Sequence, residues 1–139
     1  MFLPHAVKEF PWITFKVKGD GPALIGLFTN KTDDFKNADF FEILLGEPGM
    51  ANISSIRNSL TGTVTRSLEF NETILDGDKF LPFWVQVSKN GVLWGRGTVL
   101  EHGIIAKHRD ATLSDTNFVA FGSLNSTLEF KYYNGRYII

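Results

Sequence analysis

Glu42 and Arg57 are the most clearly complementary residues of this chain. Glu42 falls in the apolar run Phe40 to Leu45, where a carboxylate needs a partner. Arg57 follows Ile56 in a second run of strand character, and a guanidinium meets a carboxylate through paired hydrogen bonds. The two read first as a strut of the fold and second as a ligand contact. A larger group suits a sugar: Trp94, Arg96, His102, His108, Arg109 and Asp110. An aromatic plane takes the apolar face of a sugar ring, while His, Arg and Asp donate to and accept from its hydroxyls. His102, His108 and Asp110, with Glu101, also hold atoms that zinc accepts, but nothing in the sequence orients them. Asp33, Asp34 and Asp39 offer oxygens for calcium at a spacing that matches no known calcium loop. No metal is expected. Nucleophilic catalysis has little footing. There is no cysteine and no Gly-x-Ser-x-Gly elbow, and His5, His102 and His108 lie near no serine on a strand-to-helix turn. Glu69 and Glu72 would serve a glycosidase only if the fold set them across a cleft. Neither an enzyme nor a cofactor is expected.

Strands must position these groups. Phe83, Val85 and Val87 alternate with Trp84, Gln86 and Ser88, the period of a strand with two unlike faces. Asn90-Gly91 predicts a tight turn, and Val92-Leu93-Trp94 returns as the second arm of a hairpin. Phe83 and Trp84 must face opposite ways. Trp12, Thr14, Lys16 and Lys18 share one face of another strand whose other face is Ile13, Phe15 and Val17. Further strands are expected at Ala23 to Phe28, Phe40 to Leu45, Ser54 to Asn58, Thr63 to Leu68, Thr98 to Leu100, Ile104 to Ala106, Asn117 to Ser123 and Leu128 to Tyr133. Asn134-Gly135 turns the chain into Arg136 to Ile139. About ten strands, with turn signals every 8 to 12 residues or so and no helical window, predict an all-β antiparallel sandwich of jelly-roll type.

At 139 residues the chain makes one domain, 1–139, large enough for its own core. Its 13 Phe suit a thick core between sheets. A formal net charge of −1 gives no reason to expect nucleic acid and favours a neutral ligand. No apolar stretch approaches the roughly 20 residues of a membrane span, and no secretory signal is visible. Four Asn-x-Ser/Thr triplets, at Asn30, Asn52, Asn71 and Asn125, exceed what the composition predicts and point to a secreted chain in mature form. Tyr132-Tyr133 and Tyr137-Ile138-Ile139 would leave a sticky edge if uncovered, so a homo-oligomer is expected.

The strand Phe41-Glu-Ile-Leu-Leu-Gly46 is followed by Asn52, Ser55, Ile56 and Arg57, then Ile74-Leu75, Phe83-Trp84, Gly91, Gly95, Phe118-Val-Ala-Phe-Gly122 and Leu128-Glu-Phe130. This ordered set, over about residues 12 to 132, resembles the farnesoic acid O-methyltransferase-like domain. Where that family often has a Trp before an Asp, this chain has Lys107-His108-Arg109-Asp110. A methyltransferase usually holds S-adenosylmethionine on a Gly-rich turn between a strand and a helix, and this sequence predicts no such helix. The resemblance therefore implies a non-catalytic recognition module, like those attached to extracellular invertebrate proteins. The expected function is carbohydrate binding of lectin type, with a glycan or glycoprotein as partner. The contacts are expected from the Trp94–Arg96 strand end and the His102–Asp110 loop. The alternatives are a structural or oligomerisation domain that binds protein, and a carrier of an apolar lipid.

Overall fold

A computed structural model describes residues 1–3, 12–62, 64–124, 126–132 and 135–138, with 64–69 and 135–138 described as backbone alone. His5, Thr63, Asn125, Tyr133, Asn134 and Ile139 lie outside the described residues. The strands are β1 Trp12–Lys18, β2 Ala23–Phe28, β3 Phe41–Glu47, β4 Met50–Asn58, β5 Val64–Glu69, β6 Leu81–Ser88, β7 Gly91–Arg96, β8 Ile104–Arg109, β9 Phe118–Ser123, β10 Glu129–Tyr132 and β11 Gly135–Ile138. Among the described residues the helical element is a 3-10 helix, Ala111–Asp115. All strand pairs are antiparallel. A six-stranded sheet runs β11-β10-β1-β6-β7-β8, and a five-stranded sheet runs β5-β4-β3-β2-β9. The all-β sandwich is the one the strand patterns predict.

Alternation builds the layer between the sheets. Ile13, Phe15 and Val17 of β1, with Phe83 and Val85 of β6, face Ile25, Ile43, Ile56 and Phe121 of the other sheet. Phe121 stacks on Phe130 at 4.5 Å between ring centroids and touches Phe15 at 5.0 Å. Burying such a side chain stabilises the fold by about 1.5–3 kcal/mol. Trp94 belongs to this layer. Its indole N–H donates to Ser54 Oγ at 3.0 Å, and Ser54 Oγ donates onward to the Leu44 carbonyl at 2.7 Å, so both buried polar groups are satisfied. A second aromatic cluster covers part of the outer face of the five-stranded sheet, over β2 and β9. Phe28 stacks on Phe40 at 4.1 Å, and Phe2 and Phe35 pack onto Phe28 at 4.9 and 5.6 Å. The phenylalanines thus fill two layers, where composition suggested one.

Three local expectations change. The hairpin turns at Lys89 and Asn90, one residue before the expected pair, because Gly91 already pairs with Ser88 as the first residue of β7. Glycine is required there for another reason: its φ is +145°, and a Cβ would strike the carbonyl oxygen of His108 on β8. Thr98 to Leu100 is loop rather than strand. Gly97, Glu101 and Gly103 take φ of 100°, 67° and 66°, which an extended strand does not hold. Conversely, β8 continues past Ala106 to Arg109, so most of the expected His102–Asp110 loop is strand.

Candidate functional site

The outer face of the six-stranded sheet follows from the same alternation. With Ile13, Phe83 and Val92 turned inward, Trp12, Gln86, Leu93 and Lys107 turn outward, and the register sets these four side by side across β1, β6, β7 and β8. The row spans about 14 Å, three strand spacings of roughly 4.8 Å. Trp12 is 46% exposed, which is unusual for so large a ring. One step along, Ser88, Gly91 and Arg109 form the next row. Between these residues a groove of about 180 Å³ is lined by Gln86, Ser88, Asn90, Leu93, Lys107 and Arg109. A second groove of about 350 Å³, lined by Lys89, Asn90, Arg109, Asp110 and Ala111, shares Asn90 and Arg109 with the first. Neither Lys107 nor Arg109 forms an ion pair among the described residues.

The structure does not bring the expected sugar-binding residues together. Trp94 is 1% exposed and hydrogen-bonded between the sheets, so it presents no ring face to solvent. Arg96 pairs in register with Phe83, and its guanidinium lies 5.2 Å from the Phe70 ring and 3.9 Å from Glu72 Oε1. It serves the rim of the sandwich, away from the outer face. His102 is exposed in the loop before β8, and its carbonyl accepts the indole N–H of Trp84 at 2.9 Å. It stands about 20 Å from Asp110 along the six residues of β8, at roughly 3.3 Å per residue. His108 pairs with Val92 and faces inward, its ring 5.9 Å from that of Phe41 and its Nε2 buried with no hydrogen-bond partner among the described residues. Asp110 caps the 3-10 helix, accepting from Thr112 Oγ1 at 2.6 Å and from Thr112 N at 2.9 Å. The Thr112 hydroxyl first, then its backbone N–H, hold the Asp110 carboxyl below the usual carboxylate range. Arg109 and Asp110 remain, both at the groove.

What the face offers chemically is a flat aromatic ring, a carboxamide, a hydroxyl and two cations on one rigid sheet. Trp12, Gln86, Asn90 and Lys107 were not legible as a group. The alternation placed Trp12, Lys16 and Gln86 each on a face, but the pairing that sets β1 beside β6 and β6 beside β7 is tertiary. Trp84, the other outward ring, is fully buried beneath the Gly97–Gly103 loop. Among the described residues no group of three or more His, Asp or Glu side chains is placed to hold a metal ion.

Three comparisons bear on this geometry. The sequence profile of a family described as farnesoic acid O-methyl transferase matches residues 5–135. Comparison with curated proteins by sequence found no match. The fold is similar to a human galectin-16 variant, with a TM-score of 0.62 at 9% identity over 100% of this chain and 94% of that one. A carbohydrate binding module from Bacillus subtilis gives 0.61 at 11% identity over 87% and 71%. Sheep galectin-11, in a complex with glycerol, gives 0.55 at 9% identity over 100% and 93%. At these identities the likeness is one of fold.

Proposed function

The chain belongs to the farnesoic acid O-methyl transferase family, and from that premise we propose that it is a non-catalytic recognition module that binds carbohydrate on the outer face of its six-stranded sheet. The carrying observation is the row Trp12, Gln86, Leu93, Lys107 beside a groove lined by Asn90 and Arg109. A sugar ring stacks on an aromatic plane, and its hydroxyls pair with amides and cations that already face solvent. The similar solved structures carry the names of galectins and of a carbohydrate binding module, which supports the reading. The family's name speaks for methyl transfer. Against it stands the architecture, because S-adenosylmethionine usually sits on a strand-to-helix turn and the described residues hold strands and one short 3-10 helix.

The test is a glycan array followed by calorimetry. Trp12→Ala and Arg109→Ala should each weaken binding about tenfold or more, while Trp94, Arg96 and His102 are outside the site. Full affinity in both variants would move the site elsewhere, and no glycan bound would end the reading.

A second reading is a domain that binds protein. The aromatic cluster on the five-stranded sheet favours it, since Phe35 is 45% exposed at the edge of Phe2, Phe28 and Phe40. The lipid-carrier alternative has no such support: Trp94, Phe121 and Phe130 fill the space between the sheets. The proposal extends to secretion. Asn30 and Asn71 are exposed, whereas Asn52 Nδ2 donates to the Phe70 carbonyl at 3.0 Å and is poorly placed to carry a sugar. A mass shift on expression through a secretory pathway, reduced in Asn30→Gln/Asn71→Gln, checks this.

A further inference from the structure

The outer face of the six-stranded sheet is cationic although the chain carries a formal net charge of −1. Lys16, Lys18, Lys107, Arg109 and Lys131 take its outward strand positions, against Glu129 alone among the described side chains. The register sets Lys16 directly opposite Lys131. Like charges in that position destabilise a strand pair. The next outward position on β1 is balanced, since Lys18 Nζ lies 3.9 Å from Glu129 Oε2. Lys16 and Lys131 have no carboxylate partner among the described residues. Lys131 Nζ instead lies 4.0 Å from the centroid of the Phe80 ring, a contact that holds the ammonium without neutralising it.

These two lysines line a groove of about 260 Å³ together with Thr14, Pro82 and Thr98. The groove is separate from those at the Lys89–Asn90 turn and shares no lining residue with them. Lys16 shares its face with Trp12, four residues away along β1, about 13 Å at roughly 3.3 Å per residue. We infer that the Lys16–Lys131 groove is an anion subsite that takes a sulfate or carboxylate group carried on a sugar chain lying along β1. Two ammonium groups and the Thr14 and Thr98 hydroxyls donate to such oxygens, and an anion between the lysines replaces their repulsion with two attractions. The sugar as the source of the anion rests on the carbohydrate reading above; the pairing of the lysines does not.

The experiment titrates three oligosaccharides of equal length, sulfated, uronate and neutral, into the full chain at fixed ionic strength. The acidic ones should bind about tenfold more tightly than the neutral one. Lys16→Gln and Lys131→Gln should each remove that advantage and leave the neutral sugar's affinity unchanged. Whichever acidic sugar binds more tightly identifies the anion. Folding is not at risk, because relief of the like-charge pair should raise Tm in both variants. In parallel, inorganic sulfate should raise the Tm of the wild type relative to chloride at equal ionic strength, and Lys131→Gln should lose that rise. Equal affinity for acidic and neutral sugars, or no loss in either variant, overturns the subsite while leaving carbohydrate binding intact. A sulfate effect lost in Lys131→Gln with no sugar bound at all overturns the carbohydrate source instead. A DNA oligonucleotide of matched charge that binds more tightly than either acidic sugar overturns the assignment to glycans.

Discussion

Glu42 and Arg57 sit opposite each other on β3 and β4, with Arg57 Nε donating to Glu42 Oε2 at 2.7 Å. The side chains keep 31% and 15% of their exposure, so the pair is screened on one side by solvent. Arg57→Ala should therefore cost about 1–2 kcal/mol in chemical denaturation, less than a fully buried pair would. It lies on the outer face of the five-stranded sheet, away from the proposed sugar face, so glycan affinity should not change. A variant that melts like the parent but no longer binds would put the pair in the site. Asp110 allows a second test at this scale. Its carboxyl is held below its ordinary value by the Thr112 hydroxyl, so the folded state binds fewer protons than the unfolded one in that range. The stabilisation is present above the unfolded carboxylate value and is lost as pH falls through the folded one. Asp110→Asn keeps an N-cap acceptor but removes the charge. Its Tm should fall less steeply than the wild type's on acidification through the carboxylate range, as read by thermal melts at successive pH values.

The hairpin of β6 and β7 shows how an element can bury two tryptophans on opposite faces. Trp94 goes between the sheets, and Trp84 goes outward under the loop from Gly97 to Gly103. The slot for Trp84 exists because residue 95 is glycine: a Cβ there would run into the Trp84 ring and the Gly103 carbonyl. Gly95→Val should cost about 1–3 kcal/mol or more by overpacking. It should also speed hydrogen exchange at the Trp84 indole, whose N–H is held by the His102 carbonyl. An unchanged denaturation midpoint with a protected indole would mean that the loop moves freely out of the way. The same hairpin exposes Gln86 and Leu93 on the face where Trp12 stands, so the element that buries two rings also carries part of the proposed site.

At the scale of the molecule, two sheets present two unlike outer faces. One carries a phenylalanine cluster over β2 and β9 and the half-exposed Glu42–Arg57 pair; the other is cationic, with grooves at both ends. The six-stranded sheet ends on β11, whose outer edge has no neighbouring strand among the described residues. An uncovered edge pairs readily with another chain. A symmetric dimer through β11 is the expected outcome, and it would place two sugar faces on one continuous sheet and raise avidity. Light scattering that gives a monomer at high micromolar concentration would remove the dimer and leave the sugar face unaffected.

By itself the sequence determined the sandwich, the inward set Ile13, Phe15, Val17, Phe83 and Val85, and the Glu42–Arg57 strut. Each of these follows from a period of two within one strand, or from a carboxylate that needs a partner in an apolar run. It also determined that Phe83 and Trp84 face opposite ways, though not that both would be buried. Tertiary structure alone decided the site. Trp94 reads as a sugar-stacking ring beside Arg96 and the His102–Asp110 segment, yet Ser54, 40 residues away, supplies its buried acceptor. His102 and Asp110 look close in sequence, but β8 runs extended between them and carries them to opposite ends of the sheet. Trp12, Gln86, Leu93 and Lys107 come from four strands, and Lys16 meets Lys131 across 115 residues of chain. Alternation assigns each of these residues a face; only strand order and register decide which of them stand side by side, and those are set by the packing of the whole sandwich.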